Sequence, residues 1–118
     1  MKQLFLFLSI LFFISCNSID EMNTTCRTNS PLEDLVWLKE IKTTFEQSTS
    51  AQKKKIIQYT YKNETVFLIN TCVGCADNLT TMYNCKGEKI CEFGGIAGVN
   101  TCTDFDESKA NKKILWEN

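Results

Sequence analysis

The stretch "KKIIQYTYKNETVFLINT", Lys54–Thr71, decides the fold. Its two halves are rich in β-branched and aromatic residues, and the polar segment Lys62-Asn63-Glu64 separates them. This pattern predicts a β-hairpin. The two turn residues are either Lys62-Asn63 or Asn63-Glu64, and both registers leave the same residues on each face because they differ by two positions.

The predicted hairpin has two faces of different character. One face carries Ile57, Tyr59, Tyr61, Val66 and Leu68, and the other carries Ile56, Gln58, Thr60, Thr65, Phe67 and Ile69. The first face is the more apolar one on the first strand, so we expect it to pack against a helix. We expect the C-terminal segment to cover Phe67 and Ile69 in part.

Upstream of the hairpin, "SPLEDLVWLKEIKTTFEQ" predicts a helix with a defined start. Ser30 can cap it, Pro31 suits the first helical position, and Glu33 completes a capping box with Ser30. The apolar residues recur at helical spacing and form one stripe, namely Leu32, Leu35, Val36, Leu38, Ile41 and Phe45. Such a stripe is typical of a helix packed on a core.

Downstream, "TTMYNCKGEKICEF" predicts a second hairpin with Gly87 in its turn. Cys85 and Cys91 then point to opposite sides of the sheet, so we expect no disulfide between them. "GGIAGVN" follows as a glycine-rich turn, and Ile114–Trp116 is expected to pack on the sheet. The predicted fold class is α+β: one N-terminal helix packed on an antiparallel meander of about four strands, stapled by disulfides.

The N-terminus has the layout of a secretory signal, with Lys2 before an apolar run over residues 4–14. "FFISC" resembles a bacterial lipobox, with Phe13 where leucine is usual, and predicts cleavage before a lipidated Cys16 whose acyl chains include palmitate. The predicted parts are a signal peptide over 1–15, a tether over 16–29 and a small domain over 30–118. Cleavage after Ser18, giving a secreted protein without an anchor, is the alternative.

Seven cysteines are present, and an odd number in an exported protein needs an explanation. If Cys16 carries lipid or leaves with the signal, the remaining six are the disulfide candidates Cys26, Cys72, Cys75, Cys85, Cys91 and Cys102. Six cysteines suit three disulfides in a small exported domain and allow 15 pairings, a number that follows from combinatorics alone. Sequence spacing also argues, more weakly, against a bond between Cys72 and Cys75.

Charge and composition exclude several functions. The net charge of −1 provides no field for nucleic acid. The chain has no histidine, which excludes Ser-His-Asp and Cys-His nucleophiles and imidazole-ligated zinc. We therefore predict no enzyme, no metal site and no cofactor.

"INTCVGCADN" contains the sharpest alternative, because a CxxC motif after a strand is how thiol oxidoreductases present their cysteines. Cys72 and Cys75 would then form the working pair. A helix would have to follow to lower the thiol pKa, and "ADNLTTMYNC" is a poor helix. A zinc site formed by Cys72, Cys75, Cys85 and Cys91 agrees even less well with export, since an oxidising compartment converts thiolates to disulfides.

Taken together, "PLEDLVWLKEI", "IQYTYKNETVFLINTCVGCADN", "MYNCKGEKICEFGGIAGVNTC" and "ILWEN" resemble a family of small, lipid-anchored or secreted bacterial envelope proteins known only as a domain of unknown function. The resemblance covers Cys26 to the C-terminus. It implies the compartment and the domain limits, and it implies no activity, substrate or catalytic residue.

The predicted function is that of a non-catalytic lipoprotein domain of the bacterial cell envelope, with a binding or structural role. Lipid on Cys16 would hold it on the membrane, at the outer membrane facing the periplasm or the surface. Its protein or small-molecule partner, its oligomeric state and the membrane leaflet stay open. The alternatives are a thiol-disulfide oxidoreductase and a secreted, unanchored inhibitor-like binding module.

Overall fold

A computed structural model describes residues 26–118 of the protein. Its helices and strands are α1 (Pro31–Asp34), α2 (Val36–Gln47), β1 (Lys55–Tyr61), β2 (Glu64–Asn70), β3 (Leu79–Tyr83), β4 (Lys89–Gly94), β5 (Val99–Asn100) and β6 (Lys112–Glu117). The strands form one antiparallel sheet in the order β5-β4-β3-β2-β1-β6. Within residues 26–118, no helix has the length and apolar character needed to span a membrane.

The hairpin of β1 and β2 is confirmed, and its register resolves the turn. Tyr61 pairs with Glu64, so the two turn residues are Lys62 and Asn63. Both have positive φ values, 50° and 63°, as a type I′ turn requires. This turn matches the twist of the flanking strands, which is why a two-residue loop suffices.

The helical region departs from the single helix that its periodicity predicts. The chain leaves helical geometry at Leu35, with φ −88° and ψ 104°, and this break separates α1 from α2. The predicted capping box is wrong: the first turn is closed by the backbone amides of Glu33 and Asp34, which donate to the Ser30 carbonyl at 3.0 Å. The hydroxyl of Thr28 takes the side-chain role instead, since it donates to Asp34 and accepts from the Ser30 amide.

The predicted apolar stripe of the helical region is confirmed except at one residue. Val36 was expected in the apolar stripe and is 70% exposed. Trp37 lies against the core in its place, with its ring 5.7 Å from that of Phe67 and 5.6 Å from that of Tyr83. Leu38 is fully buried. The other five residues of the predicted stripe face the sheet as expected, namely Leu32, Leu35, Leu38, Ile41 and Phe45.

The two faces of the hairpin carry two separate core clusters, and the composition of each face is confirmed. The cluster of the first face contains Ile57, Tyr59, Tyr61, Val66, Leu68, Met82, Cys91 and Cys102. The cluster of the second face contains Leu38, Ile56, Phe67 and Ile69, with Trp37, Phe45 and Trp116 packed against it. The helix therefore covers the second face, and its predicted position on the first face is wrong.

Hydrogen bonding explains this placement. Tyr59 and Tyr61 on the first face have hydroxyl groups that need partners when the rings are buried. The carbonyls inside a helix already accept hydrogen bonds, whereas an irregular loop has free acceptors. The Tyr61 hydroxyl donates to the Thr103 carbonyl at 2.6 Å, and the Tyr59 hydroxyl donates to Glu107 at 3.2 Å. The loop over residues 101–111 covers this face.

The sheet has six strands where the sequence predicted about four. The glycine-rich turn leads into β5, which is only two residues long. The C-terminal segment packs on the sheet as expected, but does so as β6, an edge strand that pairs with β1. A bulge between Ile56 and Ile57 and the exposed side chains of Lys112 and Lys113 are devices that keep an edge strand from pairing further.

Candidate functional site

Successive turns alternate between the two ends of the sheet because the strands are antiparallel. One end holds the β1–β2 turn at residues 62–63 and the β3–β4 turn at residues 84–88, and we name it the Cys85 end. The other end holds the β2–β3 loop at residues 71–78 and the β4–β5 turn at residues 95–98, and we name it the Cys75 end. The features that bear on function divide between these two ends.

The Cys85 end is tied to the start of the described chain. Cys26 bonds to Cys85 with a Cα–Cα distance of 5.4 Å and a sequence separation of 59 residues. The indole Nε1 of Trp37 donates to the Cys85 carbonyl at 3.0 Å. The disulfide and the hydrogen bond together fix the start of the chain, α2 and the β3–β4 turn to one another.

A second disulfide holds the loop that covers the first face. Cys91 in β4 bonds to Cys102, with a Cα–Cα distance of 5.1 Å. Both residues are buried beside Met82. Since Cys85 and Cys91 bond to different partners, the prediction that they do not bond to each other is confirmed.

The third disulfide lies at the Cys75 end. Cys72 bonds to Cys75, with a Cα–Cα distance of 5.5 Å, so the expectation that spacing keeps them apart is wrong. The chain reverses between them: the Cys75 amide donates to the Cys72 carbonyl at 3.3 Å. This turn brings the two side chains together, as strand geometry alone would not. The residues after Cys75 lead into β3 and not into a helix.

An apolar surface lies beside this loop, formed by Leu79, Ile96 and Val99. Leu79 and Val99 are aligned across the sheet because each pairs with Gly94 from opposite sides. Ile96 lies in the β4–β5 turn that joins the strands of Gly94 and Val99, and its side chain is 85% exposed. The amide of Gly95 donates to the Asn78 carbonyl at 2.9 Å, which joins this turn to the Cys72–Cys75 loop. We name these three side chains the Ile96 surface.

An aromatic cluster centred on Phe105 lies on the first face of the sheet. The ring of Phe105 lies 5.2 Å from that of Tyr59, 5.6 Å from that of Tyr61 and 5.7 Å from that of Phe93. Burial, together with the negative charge of Glu107 and its hydrogen bond, raises the pKa of Tyr59 to about 12. The phenol is therefore a proton donor that stays neutral, and its role is to hold the loop.

Shallow clefts also lie on the described surface, and one of about 640 Å³ is lined by Val36 and polar residues of the helical region. Two others lie on the sheet. One, of about 560 Å³ at the Cys85 end, is lined by both cationic and anionic groups, including Lys62, Glu64 and Lys86. The other, of about 480 Å³, lies beside Phe93 and Phe105. Within residues 26–118, no three histidine, cysteine, aspartate or glutamate side chains converge as metal ligands. The four-cysteine zinc alternative fails on geometry, because two of its four thiols are bonded to Cys26 and Cys102.

A family model, described as a domain of unknown function (DUF6970), matches residues 42–118. The chain belongs to the DUF6970 family. The expected membership of an uncharacterised family is thereby confirmed. No curated protein and no solved structure matched the chain.

The DUF6970 match contains the whole sheet and begins inside α2. Both disulfides that close within the sheet, Cys72–Cys75 and Cys91–Cys102, lie inside it. Cys26 lies outside it, so the bond to Cys85 ties the family domain to the segment that precedes it.

Five of the six disulfide candidates lie in the DUF6970 domain, and Cys26 precedes it. The six disulfide candidates form three pairs, while Cys16 and the signal lie outside the described residues. Sequence reasoning missed two features, the Ile96 surface and the hydroxyl partners of the tyrosines. An isoleucine flanked by glycines in a turn was the available signal for the first. The second had no signal, since the partners are more than 40 residues away.

Proposed function

We propose that the protein is a non-catalytic lipoprotein domain of the bacterial cell envelope. Lipid on Cys16 holds it at the outer membrane, and the folded domain presents a binding surface away from the point of attachment. The role is recognition of another polypeptide. Disulfide-stapled domains of this size are typical of oxidising compartments, which agrees with export.

One observation carries this proposal. All six cysteines within residues 26–118 are paired with one another, so Cys16 is the seventh cysteine and has no partner among them. It stands directly after an apolar run and a small residue, Ser15, where lipoprotein processing places its modified cysteine. Lipidation would account for a cysteine that has no disulfide partner among residues 26–118.

The position of Cys26 supports an orientation for the anchored domain. About ten residues join Cys16 to Cys26, and they span at most roughly 33–36 Å when fully extended. Because Cys26 is bonded at the Cys85 end, attachment there leaves the opposite end free. The Ile96 surface lies at that free end, and we propose it as the contact site because Ile96 is the most exposed large apolar side chain within residues 26–118. A polypeptide is therefore the occupant that we propose.

The anchor is tested by the intact mass of the full chain from a bacterial host that exports and lipidates proteins. We expect a diacyl or triacyl mass on Cys16, recovery in the membrane fraction, and alkylation of cysteines only after reduction. Cys16→Ser should abolish both the lipid mass and the membrane recovery. An unlipidated protein that starts at Ile19 would contradict the anchor and favour the secreted alternative.

The binding surface is tested by placing a photo-crosslinking amino acid at position 96 in cells, with position 36 as the matched control. Val36 is also an exposed apolar residue, but it lies on α2 away from the Ile96 surface. We expect position 96 to give a crosslinked protein that is identified by its peptides and binds again when purified. Crosslinks to lipid alone, or equal crosslinking at both positions, would contradict a polypeptide partner.

A further inference from the structure

We propose that the Cys72–Cys75 disulfide is an exchangeable bond that accepts electrons from a dithiol, and not a structural staple. The activity goes beyond the binding role above. Its co-reactant is a pair of thiols on a second polypeptide in the same compartment. Four features of the Cys75 end carry this inference.

The first feature is the small loop that this bond closes. Cys72 and Cys75 are three residues apart, against 11 for Cys91–Cys102 and 59 for Cys26–Cys85. A disulfide restricts the unfolded chain less when its loop is shorter. Of the three bonds, this one contributes least to holding the fold together.

The second feature is a set of hydrogen bonds that holds the loop without the disulfide. The side-chain oxygen of Asn70 accepts from the Cys72 amide at 3.0 Å and from the Asn78 side chain at 2.8 Å. The Thr71 hydroxyl donates to the Asn78 side-chain oxygen at 3.0 Å. These bonds join the two ends of the loop directly. We therefore expect the loop to keep its path when the disulfide is reduced.

Backbone contacts hold the same loop to its neighbours on both sides. The Val73 amide donates to the Lys53 carbonyl at 2.8 Å, and the Gly95 amide donates to the Asn78 carbonyl at 2.9 Å. The first contact joins the loop to the start of β1, and the second joins it to the β4–β5 turn. Reduction leaves both contacts in place, so the surrounding structure does not depend on the sulfur–sulfur bond.

The third feature is unequal access to the two cysteines. Cys72 is buried, whereas Cys75 is half-buried and follows the exposed Gly74. No atom lies within 4 Å of the position that a Cβ on Gly74 would take, so the approach on this side is open. Because Cys75 is the more exposed residue of the two, we place the attack of an incoming thiolate on its sulfur.

The fourth feature is the neighbouring Ile96 surface, which gives a polypeptide carrying the two thiols a place to bind beside the disulfide. Electron transfer takes place in two thiol–disulfide exchange steps. A thiolate of the dithiol attacks Cys75 Sγ and forms a mixed disulfide, while the bond to Cys72 breaks and Cys72 leaves as a thiolate that takes a proton from water. The second thiol of the dithiol, as a thiolate, then attacks the dithiol sulfur in the mixed disulfide, and Cys75 leaves as a thiolate that takes a proton from water. The dithiol has given its two protons to water. Two electrons and two protons move from the dithiol to the cysteine pair.

The first test measures the order of reduction in the exported, oxidised full chain. The protein is treated with graded dithiothreitol, quenched by alkylation, and each disulfide is quantified by peptide mass. We expect Cys72–Cys75 to open at least tenfold faster than the other two bonds while the circular dichroism spectrum is unchanged. If this bond opens last, or if opening it unfolds the domain, the proposal is wrong.

The second test measures transfer to a substrate. A reduced peptide with two cysteines is incubated with the oxidised protein, and peptide disulfide is quantified by chromatography. One equivalent should form with the native protein and none with the variant Cys72→Ser/Cys75→Ser, whose fold is checked by circular dichroism. Equal oxidation in the two samples would contradict exchange at this site.

Single variants test which sulfur is attacked. With Cys72→Ser, the remaining Cys75 thiol should react with an aromatic disulfide reagent at least tenfold faster than the Cys72 thiol that remains in Cys75→Ser. Equal rates would contradict the assignment of Cys75 as the point of attack. None of these readouts requires lipid on Cys16, so they succeed or fail independently of the anchor.

Discussion

At the scale of single residues, two tyrosine hydroxyls determine what covers the first face of the sheet. Tyr59 and Tyr61 are apolar enough to be buried, yet each carries a group that must find an acceptor. Thr103 and Glu107 supply those acceptors from a loop. On the second face the fully buried large side chains Phe67 and Ile56 carry no hydroxyl, and a helix packs there. The smaller Thr65 on this face has a buried hydroxyl without a partner among the described residues.

The raised pKa of Tyr59 predicts a pH dependence of stability. The folded protein holds the phenol proton more tightly than the unfolded chain, with a pKa of about 12 against 10.0. Its contribution is therefore fully present below pH 10 and is lost as the pH rises towards 12. The free energy of unfolding should fall more steeply with pH in this range in the native protein than in Tyr59→Phe. Urea unfolding at several alkaline pH values measures this free energy. Identical slopes for the native protein and Tyr59→Phe would contradict the raised pKa of Tyr59.

At the scale of elements, the break at Leu35 and the turn at Gly87 fit each other. The break directs Trp37 towards the sheet, where its Nε1 donates to the Cys85 carbonyl. Gly87 lets the β3–β4 turn pass against the indole ring, because a Cβ at this position would lie 2.8 Å from two ring atoms. Helix and turn are therefore matched in shape, and neither is explained by its local sequence alone.

The substitution Gly87→Ala tests this contact. Gly87 has a φ of +79°, so alanine costs about 1–2 kcal/mol for the left-handed backbone, and the clash with Trp37 adds about 1–3 kcal/mol. Gly98→Ala is the matched control, since its φ is +66° and nothing lies within 4 Å of the added Cβ. Denaturant unfolding should show a larger loss for Gly87→Ala. Equal losses would mean that the indole moves aside freely.

At the scale of the whole molecule, the three disulfides act over different distances. One joins the start of the described chain to the β3–β4 turn, one holds the loop over the first face, and one closes a turn. The chain is small, so its core alone leaves little margin of stability. The long-range bonds compensate for this, and the short one is free for other chemistry.

Removing the disulfides one pair at a time by serine substitution should give a graded loss of stability. In the chain-entropy model the loss grows with loop length, at about 4, 3 and 2 kcal/mol for the three bonds. The expected order, from largest to smallest loss, is Cys26–Cys85, Cys91–Cys102 and Cys72–Cys75. Thermal and urea unfolding of the three double variants measure it. A largest loss at Cys72–Cys75 would contradict both this order and the exchange proposal.

The pattern of residues along the chain was sufficient to predict a large part of the fold. The period-two pattern of Lys54–Thr71 determined the hairpin and the composition of its faces, because side chains alternate strictly along a strand. The prediction that Cys85 and Cys91 do not bond is also correct, but Cys85 lies in the β3–β4 turn, so its position does not follow from strand alternation. The short β5 was missed because two residues carry no period, and β6 was recognised only as a packed segment.

The sequence by itself determined the class of the fold, the hairpin and its faces, the six cysteines that pair, and the expectation of a lipid on Cys16. Only the tertiary structure decided which face the helix covers, which cysteines bond to each other, and where the Ile96 surface lies. Pattern along the chain specifies the side of a strand on which a residue lies, but not what packs on that side. That depends on partners distant in sequence, as the hydroxyl acceptors of Tyr59 and Tyr61 and the separation of 59 residues between Cys26 and Cys85 show.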